Sequence, residues 1–208
     1  TIESSESMPL LKKFLINSGL LLLSAVLFAL AFPNPLNDWG FPPFAFVALL
    51  PTFLLIHRSN WIGIFFYGFF YGFITYSLFN YWLINFHPLS IFIVPVIYAV
   101  YFLFFFPVLK AADSLFPKYG YLLQLAVWMA YEYFRIQGFL GYAYGILGYS
   151  QYLFTPLIQI SEITGVWAVS ILVLFPSLYI GNGLRGGIKG LKQFFTEHRL
   201  DLLIYGVV

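Results

Sequence analysis

The sequence predicts an all-α, polytopic membrane helix bundle with six complete transmembrane helices, the start of a seventh and a cytoplasmic N-terminus. Three observations carry this. Only 9% of the 208 residues are Asp, Glu, Lys or Arg, against about 25% in an ordinary soluble domain. Apolar residues make up 61% of the chain and aromatic ones 23%, more apolar surface than a water-soluble globule could hide. The apolar residues also fall into runs of roughly 20, the length that crosses about 30 Å of hydrocarbon at 1.5 Å rise. A formal net charge of +2 leaves no basic footprint, so nucleic acid is excluded as a partner.

A short cytoplasmic tail, 1–13, precedes the first span, 14–32. Lys12-Lys13, the apolar run and Ala29-Leu30-Ala31 also fit a signal peptide with a small-residue cleavage site. The run is long for that purpose and more spans follow, so an uncleaved anchor is expected. Pro33-Asn34-Pro35 and Asn37-Asp38 close this span. The second, 41–57, ends at His57-Arg58-Ser59-Asn60, and the third, 61–82, ends at Asn85-Phe86-His87-Pro88. The fourth, 89–109, is separated by Lys110 to Lys118 from the fifth, 120–140. The sixth covers 157–180, and a seventh starts near Leu202. Both ends read as cut, with Thr1 in place of a Met, Met8 a possible start, and Val208 inside an apolar run. Pro51, Pro95, Pro107 and Pro176 fall in or near spans, where membrane helices tolerate proline if neighbours satisfy the freed carbonyl. Gly68 and Gly72 make a G-x-x-x-G step in the third span, a spacing common enough by chance to carry little weight.

Positive charges set the orientation. With the N-terminus in the cytoplasm, Lys12, Lys13, Arg58, Lys110, Lys118, Arg185, Lys189, Lys192 and Arg199 share one side, and of the ten Lys and Arg residues only Arg135 falls opposite. A seventh span starting in the cytoplasm then delivers whatever follows to the outer side.

Three ionisable residues lie within or at the edge of spans: Glu132 and Arg135 in the fifth and Glu162 in the sixth. Each costs about 2.5–3.5 kcal/mol at a helix centre and less near the ends. Glu132 and Arg135 are three apart, on one helix face, and can pair. All three flank the connection 141–156, which is rich in Gly and Tyr, carries no charge and includes Tyr142, Tyr144 and Gln151. Such a segment suits the membrane interface, where Tyr rings sit. Two readings of Arg135 stay open: a ligand for a lipid phosphate at a flexible outer mouth, or half of an internal pair that fixes helix register. Glu162 reads as a helix-start residue.

Other chemistries find no support. The chain has no Cys, which removes disulfides, thiolate metal sites and a cysteine nucleophile. His57, His87 and His198 show no ligand spacing, so neither a metal nor another cofactor is expected. Gly148-Tyr149-Ser150-Gln151-Tyr152 begins like a nucleophile elbow but lacks its final Gly. His87, beside Pro88, reads as a loop residue, and the aromatic run from Phe65 to Trp82 as lipid-facing and packing surface.

Trp128-Met129-Ala130-Tyr131-Glu132-Tyr133-Phe134-Arg135, Gly138 to Gly141, Leu147-Gly148-Tyr149-Ser150-Gln151, Pro156 to Ile160 and Thr164-Gly165-Val166 follow one another in order. Together with Phe32-Pro33-Asn34-Pro35, Gly40-Phe41, Ala48-Leu49-Leu50-Pro51 and Asn80-Tyr81-Trp82, they make the chain resemble the bacterial apolipoprotein N-acyltransferases over essentially its whole length. One departure stands out: where that family often has Gly-Phe-Pro-Trp, this chain reads Gly141-Tyr142-Ala143-Tyr144. The resemblance implies an inner-membrane enzyme that moves an acyl chain from a phospholipid to the N-terminal diacylglyceryl-cysteine of an apolipoprotein through a cysteine thioester. It further implies a nitrilase-like extracytoplasmic domain beyond residue 208, carrying a Glu-Lys-Cys set, so that this piece holds no catalytic residue and is inactive alone. Its expected work is to anchor the enzyme and admit lipid, with Glu132, Arg135, Tyr142, Tyr144 and Gln151 as the lipid- or substrate-binding candidates. The alternatives are a transporter or channel subunit, whose charges would be spread through the membrane depth, and a purely structural anchor.

Overall fold

A computed structural model of the chain describes residues 9–116, 118–138 and 141–207. Most of the expected N-terminal tail, including Met8, and the end of the expected 120–140 span lie outside the described residues. The described chain is helical, and its only sheet-like feature is an isolated bridge between Asn34 and Asn37. Helix α1 covers Leu10–Ala31, α2 Ala45–Ala48, α3 Leu50–Arg58, α4 Trp61–Phe79 and α5 Ser90–Leu115. Helix α6 covers Gly120–Phe134, α7 Thr155–Ile158, α8 Ser161–Thr164, α9 Val166–Gly183, α10 Gly187–Glu197 and α11 Arg199–Val207.

Among the described residues, four helical runs are long and apolar enough to cross a membrane: Leu10–Ala31, Trp61–Phe79, Ser90–Leu115 and Val166–Glu197. The expected second span is a shorter, broken run, Pro42–Arg58. Its first turn is a 3-10 turn opened by Pro42 and Pro43, and Pro51 interrupts the bonding again at the start of α3. The expected fifth span ends early, because α6 stops at Phe134 after 15 residues. The expected sixth starts late. Residues 155–164 form two separate turns, and Gly165, at φ 65°, breaks the chain before α9. Glu162 therefore sits in the short α8 turn and not in the long helix.

Helices α4 and α5 make the closest pairing, and glycine is the reason. A Cβ at Gly68 would run into the Phe102 carbonyl, and one at Gly72 into the Tyr98 carbonyl. The G-x-x-x-G step is thus a true close-contact stripe. Helix α1 is built into the bundle by polar contacts as well as packing. Ser24 Oγ lies 2.6 Å from Thr52 Oγ1 and donates to the Ala48 carbonyl at 2.5 Å. After α1, Asn34 Oδ1 accepts from the Leu36 and Asn37 amides, Asn37 Nδ2 donates to the Gly40 carbonyl, and Gly40 adopts φ 68°. That loop explains why the chain needs Asn-Pro chemistry here.

The ends of the helices gather charge at one end of the bundle. The carboxylate of Asp113 at the end of α5 pairs with Arg185, and its Oδ2 lies 2.8 Å from His57 Nδ1 at the end of α3. Lys110 Nζ donates to the Ile56 carbonyl at 3.2 Å and lies over the Trp61 ring at 5.6 Å. Helix α10 folds back on α9, with Phe194 and Phe195 against Tyr179 at 4.9 and 5.2 Å between ring centroids. Its polar face, with Lys189, Lys192 and Gln193, stays exposed.

Candidate functional site

The end of the expected fifth span becomes a site because α6 ends where it does. The helix closes on Arg135, whose amide donates to the Tyr131 carbonyl, and the chain turns back so that the Tyr142 amide donates to the Arg135 carbonyl at 3.0 Å. Positive φ values at Gly138 (75°) and Gly145 (83°) bracket this reversal, a geometry glycine adopts without steric cost. The Arg135 side chain thereby points back into the bundle and is only 6% exposed.

Its partners are neutral. One guanidinium nitrogen donates to the Tyr76 hydroxyl at 2.5 Å and the Tyr98 hydroxyl at 3.1 Å, and the other to the Tyr144 carbonyl at 2.7 Å. The rings of Tyr76, Tyr98 and Tyr131 lie 5.5–5.8 Å from the guanidinium carbon, within cation–π range. Tyr76 and Tyr98 stack face to face at 3.6 Å, so α4 and α5 present them as one wall. Arg135 Nε has no hydrogen-bond partner among the described residues.

Glu132 does not pair with Arg135, contrary to the possibility raised by their spacing. No ion pair joins them among the described residues. Glu132 Oε1 instead accepts from the Leu147 amide at 3.0 Å and from Trp128 Nε1 at 3.3 Å. The physical reason is that Arg135 sits in the turn after the helix, where its side chain is drawn to the tyrosine wall. Glu132, fully within α6, faces the folded-in segment 146–151. Its Oε2 is buried and makes no hydrogen bond among the described residues.

The other candidates divide. Tyr142 and Tyr144 join Arg135: their rings are 5.2 Å apart, and Tyr142 also lies 5.8 Å from Tyr98. The Tyr142 hydroxyl donates to Asn80 Oδ1 at 2.6 Å, and burial pushes this phenol above its ordinary pKa. Gln151 lies apart. It is buried, and its Nε2 donates to the Pro42 carbonyl at 2.9 Å and to Ser150 Oγ at 2.8 Å, so it ties the connection to the start of the Pro42–Arg58 run. That connection is less of a surface segment than its composition suggests. Ile146, Leu147, Gly148 and Ser150 are buried, and the Gly148 amide donates to Ser170 Oγ of α9 at 2.9 Å.

Two hollows lie near this site, and Arg135 lines the first of them. A groove of about 730 Å³ runs between α5 and α6, lined by Tyr101, Phe104, Phe105, Tyr131 and Phe134, with Arg135 at its end. A second cavity, of about 570 Å³, is walled by Phe79, Trp82, Tyr144, Tyr149 and Tyr152. Tyr144 links the two, its carbonyl on Arg135 and its ring 5.2 Å from Trp82. The arrangement can hold long apolar chains and present one buried cation to an anionic group. Sequence reasoning missed Tyr76, Tyr98 and Tyr131, which complete the site. The signal available was their position on spans adjacent to a lone charged residue.

A family model described as "Apolipoprotein N-acyltransferase N-terminal domain" matches residues 24–179. "Apolipoprotein N-acyltransferase 1" of Treponema denticola is 43% identical over 194 residues, covering 92% of this chain and 36% of the relative. Its namesake in Treponema pallidum is 41% identical, covering 74% of this chain and 28% of the relative. The "Apolipoprotein N-acyltransferase" of Geobacter metallireducens is 32% identical, covering 79% and 33%. The chain thus spans about a third of the length of the curated relatives it matches.

Proposed function

The chain belongs to the apolipoprotein N-acyltransferase family, and from that premise we propose that it is the membrane-embedded part of an enzyme that transfers an acyl chain from phospholipid to the N-terminal diacylglyceryl-cysteine of lipoproteins. Its own share is to anchor the enzyme and admit lipid. A nitrilase-like domain beyond residue 208 supplies the nucleophilic cysteine, so residues 1–208 alone carry no transferase activity. In this reading the chain forms six spans and the start of a seventh in the bacterial inner membrane. The lysine-bearing end faces the cytoplasm, and the Arg135 end faces out.

The observation that carries the lipid role is the environment of Arg135. A cation this deeply buried, held by hydroxyls, rings and a carbonyl but by no carboxylate, keeps its net charge. It stands at the end of an apolar groove open along α5 and α6. Phosphate on a diacyl lipid fits both parts: acyl chains lie in the groove, and the headgroup meets the guanidinium. Tyr142 and Tyr144 shape the opening, and Glu132 and Gln151 hold the connection that carries them.

Arg135→Ala in the full-length enzyme tests this. Acyl-thioester formation from phospholipid should fall about 100-fold, the scale of removing one preorganised charge-stabilising donor. Unchanged rates of both thioester formation and transfer to apolipoprotein would reject the lipid role. The transporter reading has less support, because among the described residues the buried charges gather at the two ends of the bundle and none lines a path between them.

A further inference from the structure

We propose that the lysine-bearing end of the bundle holds a second lipid site, one that binds a phosphoethanolamine-type headgroup of the leaflet on that face. The site is a cleft of about 360 Å³ between the turn before α6, the end of α9 and helix α10. Its polar walls are Lys118, Asn182, Arg185, Gln193, Glu197 and His198. It lies at the opposite end of α6 from Arg135, so it is separate from the groove described above.

Of the ionisable walls, Arg185 is paired with Asp113 and His198 lies 3.2 Å from Asp201, which leaves Lys118 and Glu197 as opposite charges outside any ion pair among the described residues. Among the described residues Lys118 forms no ion pair, and its Nζ lies 5.2 Å from the Tyr119 ring. Glu197 likewise forms no ion pair and accepts only from Gln193 Nε2, at 2.8 Å. Asn182 is 5% exposed, and its Oδ1 is buried without a hydrogen-bond partner among the described residues. The open walls of the cleft thus offer a cation and a carboxylate. A simple phosphate would leave Glu197 repelling it, and a simple amine would leave Lys118 doing the same. A headgroup bearing both a phosphodiester and a primary ammonium satisfies both, with the phosphate towards Lys118 and the ammonium towards Glu197.

The surroundings favour a lipid over a soluble compound of the same chemistry. Leu115 and Phe116, just before Lys118, are 71% and 54% exposed, and Ile188 and Leu200, flanking the α10 wall, are 74% and 67% exposed. Exposed large apolar side chains on the elements beside a polar cleft at a helix-bundle end fit a membrane interface, where a lipid tail continues from the headgroup.

The test is native mass spectrometry of the full-length protein, purified from mixed phosphatidylethanolamine and phosphatidylglycerol nanodiscs. It is run in the Arg135→Ala background so that lipid at the other site does not contribute. Phosphatidylethanolamine should be retained in preference. Glu197→Gln should cut that retention about tenfold while sparing phosphatidylglycerol, and Lys118→Gln should lower both. Equal retention of the two lipids by the protein with Lys118 and Glu197 intact, or unchanged retention in both variants, would overturn the site. Competition by free O-phosphoethanolamine at matched concentration would show a soluble ligand and overturn the lipid assignment. Acyl transfer, measured with Arg135 present, should be unaffected by either substitution, so failure here and failure of the lipid role at Arg135 are distinguishable.

Discussion

Two arginines, at opposite ends of the same bundle, are kept inside in different ways. Arg185 lies against the Asp113 carboxylate, with His57 completing the group. Arg135 has three tyrosine rings, two hydroxyls and one carbonyl, and no carboxylate. The first arrangement cancels charge and leaves a staple between the ends of α3, α5 and the turn after α9. The second spreads the charge over neutral dipoles and leaves it available to an anion. A buried ion pair gives little net stability until one half is removed, whereas a solvated-by-protein cation retains a field that a ligand can use.

The contrast can be broken most sharply at Asp113. Replacing it with Ala strands Arg185 and His57, and the full-length protein should lose about 3–5 kcal/mol of stability, read as a lower midpoint in thermal unfolding in detergent. Acyl transfer per folded molecule should stay within about twofold, because the staple lies far from the lipid groove. Arg135→Lys should reverse that pattern. The charge survives but the fork that reaches two hydroxyls and the Tyr144 carbonyl is lost, so thioester formation should fall about tenfold, near 1.4 kcal/mol of barrier, with a small change in unfolding midpoint.

Glu132→Gln sharpens the comparison further. The amide oxygen still accepts from Leu147, so the cost should be about 1 kcal/mol or less in unfolding. A loss of activity as large as that of Arg135→Lys would mean that Glu132 does balance the Arg135 charge. Tyr142→Phe is the mildest, removing one hydrogen bond to Asn80 worth about 1 kcal/mol. Because burial raises this phenol, it stays protonated and bonded. The stability difference between the protein and its Tyr142→Phe variant should hold constant until pH rises past the ordinary tyrosine pKa of about 10, and fade above it.

Composition and apolar runs made the helical, membrane-spanning character legible, and the Asn-Pro and His-Arg-Ser-Asn breaks fell close to real helix ends. The span lengths were less legible. Hydropathy treats 120–140 and 157–180 as continuous, but a lone arginine after Phe134 and a positive-φ glycine at 165 end or delay the helices. Spacing placed Glu132 and Arg135 on one face, yet it could not weigh partners distant in the chain, Tyr76 and Tyr98, against the near one. The Asp113–His57–Arg185 staple was hidden for the same reason, each member reading only as the edge of its own span. Gly68 and Gly72 carried a correct signal too common to trust without the Tyr98 and Phe102 carbonyls beside them.

Helix α6 is 15 residues long, about 22 Å at 1.5 Å per residue, while the hydrocarbon slab around a typical bilayer protein measures about 30 Å. If α6 crosses the bilayer as proposed, lipids next to this flank would meet a wall too short for their tails, and the membrane would pinch inward or its chains tilt to match it. Headgroups on that side would be drawn several ångströms towards the midplane, at the level where α6 gives way to Arg135. The short helix would then act on the bilayer itself, thinning the solvent through which a phospholipid descends before any side chain touches it.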